Sequence, residues 1–410
     1  MPSLAVVRSP AFTADHRVRL LQGAQELFPA LVKAMDAALS DIQFETYIFD
    51  FTRSGASVAQ ALERAARRGV RTQLVVDGVG AGAFPLEWTE RFSAAGVQFR
   101  VYSPLGPLGL LLPHRWRRLH RKLCVVDGCM LFCGGINVLD DLHDPNFGTL
   151  AAPRFDFAVQ ATGSLVAVAS DTMDQLWWRM QAVRDMRERR LPEALQALRA
   201  ASAAQHAAQV AEDGPRVRAA LLLRDNVRNR SRIERAYRRA IGAARHEVII
   251  AYAYFLPGGK LRRALLMATR RGVRVRLLLQ GRYEYFMQYH AARPVYGALL
   301  AAGVEIHEYA PSFLHAKVAV VDALGERPWA TVGSSNLDPL SLLLAREANV
   351  VVEDAAFAAD LRQRLVQAME QSGRRMEPAR YAGRPLRQRV LDQVAHALMR
   401  LALWITGRRY

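Results

Sequence analysis

Cysteine is scarce in this chain: three in 410 residues, Cys124, Cys129 and Cys133, all within ten positions of one another. An odd number crowded into one stretch does not make a disulfide framework, which points to a reducing compartment. Three thiols could ligate a metal, but flanking a strand they read as small core residues, and neither a metal nor a cofactor is assigned. Acids are also few, 38 against 56 lysines and arginines, which leaves a formal charge of +18. Such a field favours anionic partners: nucleic acid, phosphorylated ligands or an acidic membrane surface. No uninterrupted run of about eighteen apolar residues is present, which argues against a spanning helix. The first two dozen residues lack the basic start, apolar stretch and small-residue cleavage site of a signal peptide. The chain therefore reads as cytoplasmic and at most surface-bound.

Apolar residues, by contrast, are plentiful. They make up 51% of the chain, with 23% charged, enough for one large or two medium cores. Their arrangement is written twice. Phe28, Leu31, Val32, Met35, Ala38 and Leu39 follow helical spacing and lead into the strand-like "IQFETYIFDF", and "IERAYRRAIGAARHEVIIAYAYF" makes the same switch about two hundred residues later. The next elements repeat as well, "ALERAARRGVRTQLVVDG" against "ALLMATRRGVRVRLLLQG" and "AAGVQFRVYSP" against "AAGVEIHEYAP". Alternating helix and strand predicts an α/β fold of two similar halves, each a mostly parallel sheet flanked by helices. The halves span residues 16–186 and 217–372, joined by an Ala-, Gln- and Arg-rich linker over 187–216 and followed by a basic tail over 373–410.

Each half contains "HxKxxxxD": His120, Lys122 and Asp127 in the first, His315, Lys317 and Asp322 in the second. On a strand, residues two apart share a face, so each His and Lys point the same way. Each Asp, five residues beyond its Lys, falls on the opposite face and suits a structural or orienting role. Downstream, "GGIN" and "GSSN" supply Asn137 and Asn336 after small-residue turns. His, Lys and Asn together make a phosphate site: Lys neutralises charge, Asn donates hydrogen bonds, and His attacks phosphorus or moves a proton. Two copies in one pocket would supply a nucleophile and a general acid.

This pattern resembles the duplicated HKD motif of the phospholipase D superfamily, and residues 16 to 372 are similar to its bacterial cardiolipin synthase branch. The resemblance implies that the halves pack about a pseudo-two-fold axis with both motifs facing one cleft. It implies a catalytic set of His120, Lys122, Asp127, His315, Lys317 and Asp322, with Asn137 and Asn336 on the substrate and Asp156 and Glu347 orienting the imidazoles. One histidine carries a phosphatidyl group while the other protonates the departing alcohol and activates the acceptor, chemistry that requires no metal. His120 is the first choice for nucleophile, and the symmetry leaves the reverse assignment open. The implied reaction forms cardiolipin from phosphatidylglycerol and a second phospholipid or alcohol; the alternative is a hydrolase or nuclease acting on another phosphodiester. Ala345 stands where relatives usually read Asn, and "ALGERPW" adds residues before Gly333, which bears on acceptor specificity.

Two stretches speak for lipid over nucleic acid. "SPLGPLGLLLPHRWRRLHRK" joins the apolar Leu105–Leu112 to five cations, Arg115, Arg117, Arg118, Arg121 and Lys122, a combination that suits acyl chains and anionic headgroups. In the tail, "VLDQVAHALMRLALWI" is apolar, too short to span comfortably and flanked by arginines, as in an interfacial helix; the alternative is a helix packed on the catalytic body. The expected partners are an anionic phospholipid membrane, met peripherally at the cytoplasmic face of the cell membrane, and phospholipid substrates, with nucleic acid disfavoured.

Overall fold

Both periodicities resolve into strands and helices in the computed structural model, which describes residues 12–82, 84–106, 109, 113–203, 215–225, 229–253, 255–283, 286–337 and 345–405. The first half runs β1 (Thr13–Gln22), α1 (Gly23–Ala37), β2 (Asp41–Thr46), α2 (Arg53–Arg67), β3 (Arg71–Asp77), α3 (Leu86–Ala95), β4 (Gln98–Tyr102), β5 (Arg118–Leu119), β6 (Lys122–Val126), β7 (Met130–Gly134), a small hairpin of β8 (His143–Asp144) and β9 (Gly148–Thr149), β10 (Phe157–Thr162) and α4 (Leu165–Arg187). After α5 (Leu191–Ala203), the second half runs β11 (Val217–Arg224), α6 (Arg232–Ala243), β12 (Glu247–Tyr252), α7 (Gly259–Arg270), β13 (Arg274–Gln280), α8 (Phe286–Ala301), β14 (Glu305–Tyr309), β15 (Lys317–Val321), β16 (Trp329–Gly333), β17 (Ala345–Glu353) and α9 (Ala355–Gln371). The chain continues through β18 (Gly373–Arg375), α10 (Pro378–Ala382) and α11 (Leu386–Ile405).

One continuous sheet crosses both halves in the order β18-β14-β13-β12-β15-β16-β17-β11-β1-β10-β7-β6-β2-β3-β4. The order reads symmetrically about the β11–β1 ladder, the sheet-level form of the duplication. The α/β layering is the one read from the sequence, and along the main strand order its parallel part is confined to β2-β3-β4 and β12-β13-β14, the short β5 pairing in parallel with β17 off that path. The motif strands return as antiparallel hairpins, β6–β7 and β15–β16, because short loops of three and seven residues link them where a parallel partner would need a crossover. Alternating side chains give each sheet two buried faces. A central core shared by both halves takes Val125, Cys133, Val159, Val318, Val332 and Val350 with Met173 of α4 and Leu361 of α9. Separate outer cores lie beneath α1–α3 and beneath α6–α8. Cys124 packs into the first outer core and Cys133 into the central one. Burial pushes the Cys133 thiol up to about 12, as expected of core thiols.

The intervening and terminal segments are more integrated than their composition implies. Within the 187–216 stretch, α5 lies along α4 and buries Ala194, Ala197 and Ala201; residues 204–214 lie outside the described residues. Gly373–Arg375 is not tail but an edge strand antiparallel to β14. Helix α11 docks on α8 through Asp392, Ala395 and Met399. His290 Nδ1 lies 2.7 Å from Asp392 Oδ1, and Arg384 Nη1 donates to Asp392 Oδ2 at 2.7 Å. Its opposite face exposes Leu386, Val390, Val394, Leu398 and Leu401. The helix is therefore packed on the catalytic body along one face and leaves an apolar stripe exposed along the other. Among the described residues, no helix is long and apolar enough to cross a membrane.

Candidate active site

Each motif is stitched to the other half before its strand begins. His120 N–H donates to Arg346 O at 3.0 Å and His315 N–H to Phe155 O at 2.9 Å. β5 pairs in parallel with the start of β17, and Leu314 bridges Phe155 in the same sense. These contacts bring each histidine onto the acid that follows the other motif. His120 Nδ1 lies 3.0 Å from both oxygens of Glu347, and His315 Nδ1 lies 2.6 Å from Asp156 Oδ2. With Nδ1–H donating to carboxylate, each ring presents Nε2 as its reactive nitrogen. The sequence supplied both acids and left open which serves which histidine; the pairing is crossed.

Lys122 and Lys317 sit at the first position of β6 and β15, two residues past their histidines. Lys122 Nζ donates to His120 O at 2.7 Å, and Lys317 Nζ donates to His315 O. Lys122 also lies 5.3 Å from the centre of the Tyr47 ring, which meets His120 edge-on at 5.0 Å. Burial, with the nearby Lys317 charge, lowers the Lys122 ammonium to about 7 against the opposing pull of Glu347. Burial lowers both imidazoles, His315 strongly because Lys317 and Lys122 add their charge. Asn137 Oδ1 accepts from Ile48 N–H at 3.2 Å, whereas the buried Asn336 Oδ1 has no partner among the described residues. The two histidines and two lysines thus lie near enough to feel one another's charge, an arrangement with the groups needed to hold a phosphodiester anion, attack it from one side and protonate it from the other.

The two dyads differ in what backs them. Ser334 Oγ donates to Glu347 Oε2 at 2.6 Å, and Arg224 Nη2 lies 3.7 Å from Glu347 Oε1. Against the raising effect of burial, His120 and Arg224 hold the Glu347 carboxyl below the usual range. At Asp156 the matching positions are glycines: Gly135 stands where the second half has Ser334, and a Cβ there would lie 2.3 Å from Asp156 Oδ1. Burial raises Asp156 to about 6, and Asp141 nearby is likewise raised to about 6, with the Asp156 charge contributing. Aligning "GGIN" with "GSSN" could have flagged Ser334, but Arg224, Tyr47 and Asp141 arrive through pairing of distant strands and carry no local signal.

Asp127 and Asp322, expected in the catalytic set, do not reach it. Five residues of extended chain put each roughly 16 Å along its strand from the lysine. There each holds the turn entering the neighbouring strand. Asp322 accepts from the N–H groups of Arg245, His246 and Glu247 at 2.7, 2.8 and 2.8 Å. Asp127 accepts from those of Leu39, Ser40 and Asp41 at 3.0, 2.8 and 3.0 Å. Both adopt left-handed backbone, φ 46° and 49°, which Asp tolerates better than most residues. Asp322→Ala should therefore lower stability by about 2 kcal/mol or more and leave turnover per folded molecule unchanged. Asp322→Asn, which keeps an acceptor oxygen, should lose less. Thermal melts beside rates per folded enzyme check this, and a large rate loss at full folding would return Asp322 to the chemistry.

The basic stretch before the first motif also divides. Arg121 is buried against Glu45, its Nη2 2.9 Å from Oε1, and Arg118 Nη1 reaches Asp77 Oδ1 at 3.1 Å. With Lys122 also buried, three of the five cations point inward, and two of them, Arg118 and Arg121, meet acids distant in sequence. Of the apolar run 105–112, residues 107, 108 and 110–112 lie outside the described residues.

A family model described as "Cardiolipin synthase, PLD-like domain" matches residues 31–150 and 237–369. Cardiolipin synthase B of Escherichia coli K12 is 36% identical over 359 residues, 85% of this chain and 79% of that protein. Cardiolipin synthase A of Pseudomonas syringae is 30% identical over 371 residues, 89% of this chain and 70% of that protein. The crystal structure of phosphatidylserine synthase from Haemophilus influenzae Rd KW20 shares the fold, with a TM-score of 0.68 over 97% of this chain and 96% of that one at 13% identity. With the duplicated motif, the crossed dyads and these relatives in agreement, the chain belongs to the cardiolipin synthase family of PLD-like proteins.

Proposed function

We propose that the protein transfers a phosphatidyl group from phosphatidylglycerol to the hydroxyl of a second phospholipid or an alcohol, through a phosphohistidine, forming cardiolipin in the first case. The observation that carries this reading is the crossed pair of imidazole–carboxylate dyads with both lysines beside them. Nε2 of His120 attacks phosphorus, the bond to the leaving glycerol oxygen breaks, and His315 gives that oxygen a proton. The acceptor hydroxyl then returns a proton to His315 as its oxygen attacks phosphorus and the P–N bond breaks. Lys122, Lys317, Asn137 and Asn336 hold the equatorial oxygens. The backing of the dyads supports these roles. Arg224 balances the ionised Glu347, which keeps His120 neutral and nucleophilic. At the other dyad, with Asp141 near it and no arginine at the matching place, burial raises Asp156 to about 6, so this carboxyl accepts a proton more readily than Glu347 does.

Both lipids belong to a bilayer, so the same reading makes the protein peripheral at the cytoplasmic face, with the outer face of α11 among the headgroups. That face carries Leu386, Val390, Val394, Leu398 and Leu401 beside the exposed Arg387. A covalent intermediate predicts that short alcohols intercept it. Adding ethanol to enzyme and phosphatidylglycerol vesicles should give phosphatidylethanol by mass spectrometry. Phosphatidic acid as the sole product would mean direct hydrolysis and would sink the intermediate.

A further inference from the structure

We infer that the enzyme meets the bilayer asymmetrically, through the outer face of α6 and α7 in its second half; this rests on the phosphatidyl-transfer reading for its choice of partner. The duplication provides an internal reference. In the first half α1 and α2 carry four bases and three acids, and two of the four cations are paired: Arg64 with Asp36 at 2.9 Å and Arg67 with Glu63 at 2.6 Å. In the second half α6 and α7 carry eight bases and one acid. The positions matching Asp36 and Glu63 are Gly242 and Leu266. Arg235, Arg239, Lys260, Arg262 and Arg263 are exposed and have no acid partner among the described residues. The nearby Arg235 charge, after burial, lowers the Arg232 guanidinium.

The placement goes against local helix preference. α7 has no acid in its first turn, where the helix dipole favours one, and carries Lys260 and Arg262 there, followed by Arg263. Unpaired cations at a helix N-terminus repel the dipole and one another, so the fold gains nothing from them, whereas an anionic sheet of phosphates would neutralise all of them. Topology sets this end beside the chemistry. β12 leads into α7 from Tyr252, which pairs with Lys317, and β11 leads into α6 from Arg224, which reaches Glu347. The cationic ridge thus begins at the catalytic edge of the sheet. α8 belongs to the same helical layer and bears α11 with its exposed apolar stripe, so charge and apolar area lie on one side of the duplicated body.

Triple charge reversal in each half separates surface from total charge. Arg235→Glu/Arg262→Glu/Arg263→Glu and Lys33→Glu/Arg53→Glu/Arg67→Glu change the net charge equally. The second-half variant should bind phosphatidylglycerol vesicles about a hundredfold more weakly at physiological salt, and the first-half variant within a few-fold of wild type. Equal losses in both would reduce the effect to net charge and overturn the inference. So would a second-half variant that loses binding to duplex DNA while keeping vesicles. Transfer in detergent mixed micelles, measured alongside, should survive in both variants. Wild-type protein inert there would defeat the proposed reaction, while sedimentation still decides the surface.

Discussion

His120→Ala and His315→Ala should each lower turnover by at least about a thousandfold and leave the thermal melt close to wild type. The losses differ in kind. Without His120 no nitrogen attacks phosphorus, and no phosphorylated protein forms from any donor. Without His315 the attack is intact but the departing alkoxide lacks its proton. A donor whose leaving group needs none, such as a p-nitrophenyl phosphatidyl ester, should therefore phosphorylate His315→Ala once, with a burst of nitrophenolate, and then stall. The opposite pattern, a burst from His120→Ala alone, would exchange the roles. Both variants keeping more than a few per cent of activity while folded by circular dichroism would end the paired-histidine mechanism. Neither ring is packed in an apolar core, and each is replaced beside a carboxylate that retains another donor, Ser334 for Glu347 and Phe157 N–H for Asp156. The fold should tolerate both truncations for that reason.

The repeated letters proved to repeat for two unrelated reasons. On the proposed mechanism His-x-Lys recurs because both ends of one reaction require it, and strand alternation is enough to place the pair on one face. Asp127 and Asp322 recur because the same turn stands opposite β6 and β15, with three amides in need of an acceptor. A pattern in one dimension cannot tell chemistry from architecture when both are duplicated. Charge was read less well still: Arg118 and Arg121 look free in the sequence because Asp77 and Glu45 are far along the chain, and only β2, β3 and β5 bring them together. The tail helix looked ambiguous because it is apolar on two faces, and periodicity reports the stripes without saying which one meets the body. What sequence did convey, the two halves, the histidines, the lysines and the orienting acids, rests on short-range spacing compared between two copies.

Lys122→Met should leave the protein more stable and nearly inactive. A buried ammonium lowered to about 7 is one that the folded state disfavours, while the unfolded chain holds it near 10.5. Between those values the unfolded state binds the extra proton, so this group makes stability rise with pH from about 7 upward, and at or below 7 its full penalty acts on the fold. Methionine has similar length and no charge, which removes a penalty on the order of a few kcal/mol. The variant's advantage in melts should be largest at pH 6 to 7 and shrink towards pH 10. Substrate reverses the balance. A phosphodiester beside Nζ restores the proton, so binding takes up protons above neutrality and should weaken as pH rises past 7. Calorimetry in two buffers of different ionisation enthalpy measures that uptake, which Lys122→Met should abolish together with most of the rate. A variant less stable than wild type at pH 6 would show that Glu347 and Asp156 outweigh burial, and would recast the lysine as part of what holds the halves together.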